Sequence, residues 1–294
     1  MIKAVLITIF LLGLCACGTH CRPFPAPKPC YDPTLQSGLE SVVERLSLED
    51  AAAKERLAVI LVDITQLDHP YTAGINANQM MYAASLPKIA ILYGVLKLMD
   101  QGALTWDPQL ETLATEMIRD SSNSAATELF YRIGPHYIAA LLQSDPFRFY
   151  DRENGGGIWV GKEYGPAPAW RRDPLGQISH AATPVAVARL YYYLETGELL
   201  SPKGTFLMNK ILSNSSLDHK FLKGLARYGN RVKLRRKSGS WRTYHSDSAI
   251  VEHNGRRYIA VALTNDPKGS YWLERLIAGM DWLILSSPER PSQL

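Results

Sequence analysis

Apolar positions along the chain switch between helical spacing and strand spacing. Leu39, Val42 and Leu46 recur at helical intervals and predict an amphipathic helix over 35–54. A largely apolar, β-branched run then predicts a buried strand over 57–64. Four further helices are predicted after this strand, over 85–100, 109–119, 124–133 and 135–142.

The second half of the chain has a different pattern. Residues 147–180 are rich in glycine, proline and aromatic residues and predict a long irregular loop, and loops of this length are usually functional. Thr183 and Pro184 are a typical cap and first turn of a helix that ends near 194. The remaining predicted elements are a helix over 203–212, strands over 231–240, 248–252 and 258–265 with a turn at Asn254-Gly255, and a helix over 271–285.

Strands contributed by both ends of the chain therefore enclose a helical middle. This order predicts an α+β sandwich in which an antiparallel sheet packs against helices. The 294 residues, of which 46% are hydrophobic and 20% charged, supply enough apolar material for a globular body. The net charge of +4 is dispersed, and its densest run, Lys233 to Lys237, is too small to favour a nucleic-acid partner.

The N-terminus has the pattern of a targeting segment. Lys3 precedes an apolar run over 4–14, which is too short for a permanent membrane span and predicts a signal peptide over 1–17. The tetrapeptide Leu14-Cys15-Ala16-Cys17 resembles a bacterial lipobox, in which the last cysteine takes up lipid. Cys17 would then hold an exported periplasmic or extracellular domain on a cell-envelope membrane, and a signal peptide cleaved at another position is the alternative.

All the cysteines lie before the predicted domain, at Cys15, Cys17, Cys21 and Cys30. The domain therefore contains no thiol nucleophile and no thiolate metal site. Cys21 and Cys30 either form a disulfide or remain free thiols. Four prolines between these two cysteines predict a stiff spacer over 18–34, which leads into a domain over 35–286 and a tail over 287–294.

Ser85-Leu86-Pro87-Lys88 places a hydroxyl and an amine three residues apart at the start of a helix, on one face. Burial lowers the pKa of a lysine, so a neutral Lys88 amine could accept the Ser85 proton. This spacing alone is common, and a helix cap followed by a solvated lysine would explain it equally well.

Two later segments favour the catalytic interpretation of Ser85 and Lys88. Ser121-Ser122-Asn123 lies at a helix junction, and Lys237-Ser238-Gly239 lies on a predicted edge strand and is followed by Ser240. In this order the three segments resemble the S-x-x-K, S-D-N and K-T-G motifs of class A β-lactamases and penicillin-binding proteins. The resemblance covers about 35–286 and implies the three-layer sandwich of that family, with an all-helical subdomain and no cofactor.

The resemblance also implies roles for these residues. Ser85 would attack the carbonyl group of a β-lactam or a cell-wall peptide, with Lys88 as its base, and Ser121 would relay a proton to the departing nitrogen. Asn123 would hold the substrate amide and Lys88, while Lys237 and Ser238 would bind a substrate carboxylate. Gly239 would let the substrate lie against the strand. The backbone N–H groups of Ser85 and Ser240 would form the oxyanion hole.

The sequence departs from the family at three points. Ser122 replaces the aspartate of the second motif, which leaves the bracing of that loop unexplained. The interval between Ser85 and Ser121 is short for the family and predicts a more open cleft. The glutamate that activates water for deacylation is not evident, and Glu163 and Asp173 are the two candidates. Without such a carboxylate the acyl-enzyme would be trapped, as in a penicillin-binding protein.

Other functions remain open at this stage. A Ser-His-Asp hydrolase could use His180, His245 or His253 with Asp247, although no G-x-S-x-G segment is present. A metal hydrolase is less favoured, because the histidines are isolated and no H-E-x-x-H occurs. A D-alanyl-D-alanine peptidase, or a lipoprotein that binds cell-wall peptide without catalysis, would use the same cleft.

Overall fold

A computed structural model describes residues 23–287. Its α-helices, in chain order, are α1 (Pro33–Arg45), α2 (Glu49–Ala53), α3 (Lys88–Asp100), α4 (Pro108–Thr115), α5 (Asn123–Ile133), α6 (Pro135–Gln143), α7 (Pro184–Glu195), α8 (Pro202–Leu212), α9 (Phe221–Leu225) and α10 (Gly269–Ser286). Its strands are β1 (Leu57–Asp63), β2 (Tyr71–Ile75), β3 (Met81–Tyr82), β4 (Tyr150–Asp151), β5 (Gly156–Gly157), β6 (Trp159–Val160), β7 (His180–Ala182), β8 (Val232–Trp241), β9 (Tyr244–His253) and β10 (Arg256–Asn265).

The main sheet has five strands in the order β2-β1-β10-β9-β8, and its neighbouring strands are antiparallel. Both faces of this sheet are buried. Along β1, Ala58, Ile60 and Val62 pack into one core with the helical subdomain. The alternate residues Leu57 and Val59 pack into a second core with α1 and α10. Helices therefore cover the sheet on both sides, which confirms the predicted α+β sandwich.

The helical middle of the chain is confirmed, with one shift that matters for the site. The helix predicted from Ser85 begins at Lys88, and Ser85 lies in the turn before it, where Leu86 N donates to Ala83 O at 3.0 Å. Residues Lys88 to Leu96 are buried throughout. The first half of α3, including its start at Lys88, therefore lies in the close-packed interior of the domain.

Three elements differ in detail from the prediction. The single helix expected over 35–54 is divided into α1 and α2, because Ser47 adopts a left-handed conformation with φ of 54° and ends the first helix. Strand β2 was not predicted, since Thr72 and Gly74 interrupt its apolar pattern. Strand β9 is longer than the predicted 248–252, and it pairs with both β8 and β10.

The proline-rich segment is part of the folded body from Pro23 onward, where a spacer was expected. Phe24 is buried, and its ring meets that of Tyr192 edge-on at 5.2 Å between centroids. Arg189 Nε donates to Pro25 O at 2.7 Å and holds the segment against α7. Cys30 is disulfide-bonded. The signal peptide, Cys15, Cys17 and Cys21 lie outside the described residues, as does the end of the tail.

Within residues 23–287, none of the helices combines the length and the apolar character required to cross a membrane.

Candidate active site

Ser85 sits on a tightly held turn between β3 and α3. The preceding residue, Ala84, has a left-handed backbone with φ of 51°, which is strained for alanine and persists only in a fixed setting. Ser246 Oγ donates to Ala83 O at 2.8 Å, and Ala83 N donates to His180 O at 2.9 Å. Strands β9 and β7 thus hold the turn from two sides, and Ser85 lines a cleft of about 540 Å³.

Lys88 is the first residue of α3, three positions after Ser85, and its side chain is completely buried. Its Nζ donates to Ser121 O at 2.7 Å, to Asn123 Oδ1 at 2.8 Å and to Ser122 O at 3.2 Å. Burial lowers the pKa of Lys88 from its ordinary value to about 7. A large fraction of the molecules therefore carries a neutral amine at neutral pH, with a lone pair available to accept a proton.

The second segment is shaped by an irregular helix end. A π-helical turn, Glu116–Asp120, leads into Ser121, whose φ of 59° turns its carbonyl group and hydroxyl toward the two lysines. Ser122 caps α5, because its Oγ accepts from Ala125 N at 3.2 Å. Asn123 lines the cleft, and its Nδ2 makes no hydrogen bond to a described residue.

The bracing that Ser122 cannot supply comes from its neighbours. Arg119 Nη2 donates to Lys210 O at 2.6 Å, which ties the turn to α8. Ser216 Oγ donates to Asp120 Oδ1 at 2.5 Å and ties the same turn to the loop after α8. The loop is therefore held from outside the cleft, and its serine and asparagine remain in place.

Lys237 joins the third segment to the second. It lies on β8, which is an edge strand as predicted, and its Nζ donates to Ser121 Oγ at 2.9 Å and to Ser238 O at 2.8 Å. Burial, followed by the nearby charge of Lys88, holds the pKa of Lys237 well below its ordinary value. Ser238 is buried beside it. Two buried amines thus contact Ser121, with Lys237 at its hydroxyl and Lys88 at its carbonyl oxygen.

Gly239 brings the same strand against the turn that carries Ser85. A Cβ atom at this position would lie 2.4 Å from Ala83 O and 2.7 Å from Ser85 N, so only glycine allows the two backbones to approach this closely. No carbonyl group of the described residues accepts the Ser85 N–H. Ser85 and Ser240 both line the cleft, with backbone N–H groups from adjoining segments.

A third buried lysine, which sequence reasoning missed, supports the end of β8. Lys220 Nζ donates to Gly239 O, to Ser240 Oγ at 2.7 Å and to Ser246 O at 3.1 Å. Burial lowers the pKa of Lys220 to about 8. The residue stands in an irregular segment before α9 with no recognisable spacing to the other site residues, so the sequence gives no signal for it.

The two candidate carboxylates are placed differently. Glu163 lines the cleft, with Oε1 accepting from Ala167 N at 2.6 Å and Oε2 from Thr127 Oγ1 at 3.3 Å. Asp173 is fully buried and does not line the cleft. Its carboxylate accepts hydrogen bonds from four groups, namely Tyr150 Oη, Leu175 N, Gly176 N and Ile178 N. These four bonds hold the 162–180 loop in its conformation around Asp173.

Aromatic rings, also not foreseen as site residues, form one wall of the cleft. The ring of Tyr82 lies 5.3 Å from Trp241, 5.3 Å from Tyr244 and 6.2 Å from His180. Tyr164 continues the wall, 4.3 Å from His180 and 4.6 Å from Lys88 Nζ. Burial lowers the pKa of His180 to about 4, so that this ring is neutral at physiological pH.

The contacts of the histidines do not form a Ser-His-Asp chain. His180 hydrogen-bonds to Lys162 O, at 3.1 Å, and His245 Nδ1 lies 3.3 Å from Ser240 Oγ. His253 pairs with Asp281 at 2.9 Å, beneath the other face of the sheet. Asp247, the acid considered for a triad, forms a buried ion pair with Arg236 at 2.8 Å. Among residues 23–287, none of these contacts reaches the hydroxyl of Ser85.

A sequence model described as the β-lactamase enzyme family matches residues 39–112 and 107–280. Among curated proteins there is no significant match. The fold is similar to that of PBP-A, with a TM-score of 0.65 and 21% identity over 86% of this chain and 97% of the other. The fold is also similar to that of a PBP-A variant in an acyl-enzyme complex with penicillin G, with a TM-score of 0.63 and 21% identity over 84% of this chain and 94% of the other. For the β-lactamase of Sphaerobacter thermophilus DSM 20745, the TM-score is 0.64 and the identity 17%, over 85% of this chain and 96% of the other.

Proposed function

The chain belongs to the β-lactamase enzyme family, and from this premise we propose that it is a class A type hydrolase that forms an acyl-enzyme on Ser85 with β-lactams and then hydrolyses it. One observation carries the proposal. The buried Nζ of Lys88, one turn from Ser85, is hydrogen-bonded to Asn123, while Lys237 is hydrogen-bonded to Ser121. Residues from three distant segments thus meet where a serine nucleophile needs a base and a proton relay.

In the acylation step, Ser85 Oγ attacks the lactam carbonyl carbon as its proton passes to Lys88. An ammonium group at Lys88 uses its three N–H bonds on three oxygen acceptors, whereas the neutral amine has two N–H donors and one free lone pair. The negative charge that develops on the carbonyl oxygen is stabilised by the N–H groups of Ser85 and Ser240.

The C–N bond of the lactam then breaks, and its nitrogen takes a proton through Ser121. The hydroxyl of Ser121 is well placed for this relay, because it accepts from Lys237 and lies beside the carbonyl group held by Lys88. A carboxylate on the departing side of the substrate would be recognised by Lys237 and Ser238. This step leaves the acyl group on Ser85 as an ester.

Deacylation requires a water molecule that loses a proton as it attacks that ester. We assign this role to Glu163, because it is the candidate carboxylate that lines the cleft with Ser85 and Asn123. We assign Asp173 a structural role, because its hydrogen bonds stabilise the 162–180 loop. The C–O bond to Ser85 then breaks, Ser85 regains a proton, and the product leaves with one added water.

A penicillin-binding peptidase that deacylates slowly is the second candidate. It is favoured by the contacts of Glu163, since both carboxylate oxygens already accept hydrogen bonds from the protein. A D-alanyl-D-alanine peptide or another cell-wall peptide would then be the substrate, with the same residues in acylation.

A chromogenic cephalosporin separates these activities. Steady hydrolysis well beyond one equivalent, lost in Ser85→Ala, supports a β-lactamase. A burst of one equivalent supports the slow-deacylating enzyme. Hydrolysis that persists in Ser85→Ala would refute both.

We also propose that Cys17 carries lipid and that the folded domain is exported and held close to a cell-envelope membrane. The lipobox-like sequence supports this location. Mass spectrometry of the mature N-terminus tests it, because an unmodified Cys17 would rule out the anchor.

A further inference from the structure

The open volume beside Ser85 does not extend over Lys237 and Ser121. The cleft is lined by Ser85, Asn123 and Ser240 on one side and by residues of the 162–180 segment on the other. Lys237 and Ser121 hydrogen-bond to each other and do not line this volume, and in the proposed mechanism they lie on the side where the leaving nitrogen is protonated. The open part of the cleft is therefore the part that would hold the acyl group retained on Ser85.

Two cations stand at the loop side of that volume. Lys162 is half-buried and Arg172 is exposed, and both line the cleft. Their backbones are neighbours, since Arg171 N donates to Gly161 O at 3.2 Å. A Cβ atom at Gly161 would lie 2.0 Å from Arg171 O, so the two segments are in direct contact there. The two positive side chains are thus carried by two segments that are hydrogen-bonded to each other.

In the described part of the chain, both cations hydrogen-bond to uncharged groups. Lys162 Nζ donates to Gly165 O at 2.8 Å, and Arg172 Nη1 donates to Gln177 O at 3.1 Å, and both acceptors are uncharged. Within residues 23–287 no ion pair includes either residue. The carboxylate that lines the cleft, Glu163, accepts instead from Thr127 and Ala167. Most donor N–H groups of both cations remain available to a ligand.

The aromatic wall lies between these cations and the β8–β9 hairpin. Tyr82 and Tyr164 flank the neutral ring of His180, and Trp241 lies at the hairpin end of the wall with nearly half of its surface exposed. His180 Nε2 donates to Lys162 O at 3.1 Å, which ties this ring to the backbone of the residue that carries one of the cations. A planar acyl side chain would contact the rings, and a negative group on it would meet the cations.

We infer that Lys162 and Arg172 form a second anion-binding subsite, which selects substrates with a carboxylate on the acyl side of the scissile bond. This inference rests on the proposed acyl-enzyme function. The subsite is separate from the carboxylate recognition proposed for Lys237 and Ser238, because it binds the part of the substrate that stays on Ser85. Acyl donors with an aryl ring and a second carboxylate are the chemical class it fits.

Three penicillins with one phenylacetyl core test this directly. Carbenicillin carries a carboxylate on the carbon next to the ring, benzylpenicillin carries hydrogen, and ampicillin carries an ammonium group. The second-order rate constant of acylation is measured for each by intact mass or stopped flow at low ionic strength. We expect the order carbenicillin, benzylpenicillin, ampicillin, with about fivefold between neighbours, and a smaller spread at high salt.

The variant Lys162→Gln/Arg172→Gln should remove this order, with an unchanged thermal unfolding temperature. Lys203→Gln, an exposed lysine on α8 outside the cleft, is the matched control and should retain it. Equal rates for the three penicillins in the wild type, or the same order in the double variant, would overturn the subsite while leaving the acyl-enzyme function intact. Failure of all three to acylate the wild type would refute the function itself and the subsite with it.

Discussion

The side-chain nitrogen of Lys237 lies 2.9 Å from the hydroxyl oxygen of Ser121, although 116 positions separate the two residues. Lys88 reaches the carbonyl oxygen of the same serine at 2.7 Å. Two buried amines therefore converge on one residue, and both have a pKa below the ordinary value of lysine because burial disfavours their charged forms. Of the two, Lys88 has a pKa of about 7, which supports its proposed role as the proton acceptor near neutral pH.

Acylation should depend on the protonation of Lys88. Its pKa is about 7, and only the neutral amine can accept the Ser85 proton, so the rate should rise about tenfold per pH unit below this value and level off above it. Stopped-flow acylation with benzylpenicillin, measured from about pH 5.5 to 9, gives the profile. Lys88→Arg keeps a charge at every pH and should acylate at least about 100-fold more slowly. A flat profile would argue against Lys88 as the base.

Gly239→Ala should separate activity from folding. The added methyl group meets backbone atoms of Ala83 and Ser85, which have no flexible end that could move aside. The strand must shift, and misplacement by about 1 Å can cost a factor of about 100 in rate. Acylation should fall by that order while circular dichroism shows a folded protein. Near-normal acylation would mean that the strand does not help to position the nucleophile.

Glu163→Gln tests the deacylation step. The amide keeps the size of the side chain but cannot take a proton from water, so acylation should persist while release slows by about 100-fold or more. An acyl-enzyme that accumulates in the variant, followed by intact mass over time, is the expected result. If the variant loses its acyl group as fast as the wild type does, either another group activates the water or the wild-type acyl-enzyme is itself trapped.

Asp173→Asn is the matched comparison, and its effect should be on stability. The buried carboxylate accepts hydrogen bonds from one hydroxyl and three backbone N–H groups, and an amide can replace only part of these. The free energy of unfolding should fall by about 2–3 kcal/mol. Urea denaturation measures this loss. A variant with normal stability but slow deacylation would reverse the assignment of the two carboxylates.

Lys220→Met should affect stability and acylation together. Methionine is of similar size but removes the Lys220 donor from the carbonyl groups of Gly239 and Ser246, at a cost of about 2–4 kcal/mol. Ser240 also loses the bond that fixes its side chain, so acylation should slow. Lys220→Arg should restore more of the acylation rate than of the stability. A methionine variant with wild-type acylation would make Lys220 purely structural.

Some of the predicted site residues have short spacings with a local physical reason. Ser85 and Lys88 are three positions apart at the start of a helix, and Lys237 and Gly239 alternate along an edge strand, so the sequence alone predicts that the members of each pair lie close together. The sheet and the helical middle were predictable for the same reason, since β1 and α3 have long apolar patterns that the core requires.

The residues that were missed depend on contacts between distant segments. Lys220 reaches β8 and β9 from an irregular segment with a φ of 53°, and no local pattern predicts that conformation. Tyr164 meets Lys88 only because the 162–180 loop folds back over the cleft. Glu163 and Asp173 lie ten positions apart in that loop and both are buried, so only the position of Glu163 in the lining of the cleft distinguishes them.

Attack by Ser85 on a β-lactam is tested by the intact mass of the protein after mixing with benzylpenicillin, followed by proteolysis to locate the added group. We expect one penicillin equivalent on the wild-type protein, on the peptide that contains Ser85, and none on Ser85→Ala. A wild-type mass that does not change at saturating penicillin and early time points, or an adduct that survives in Ser85→Ala, would show that Ser85 is not the nucleophile.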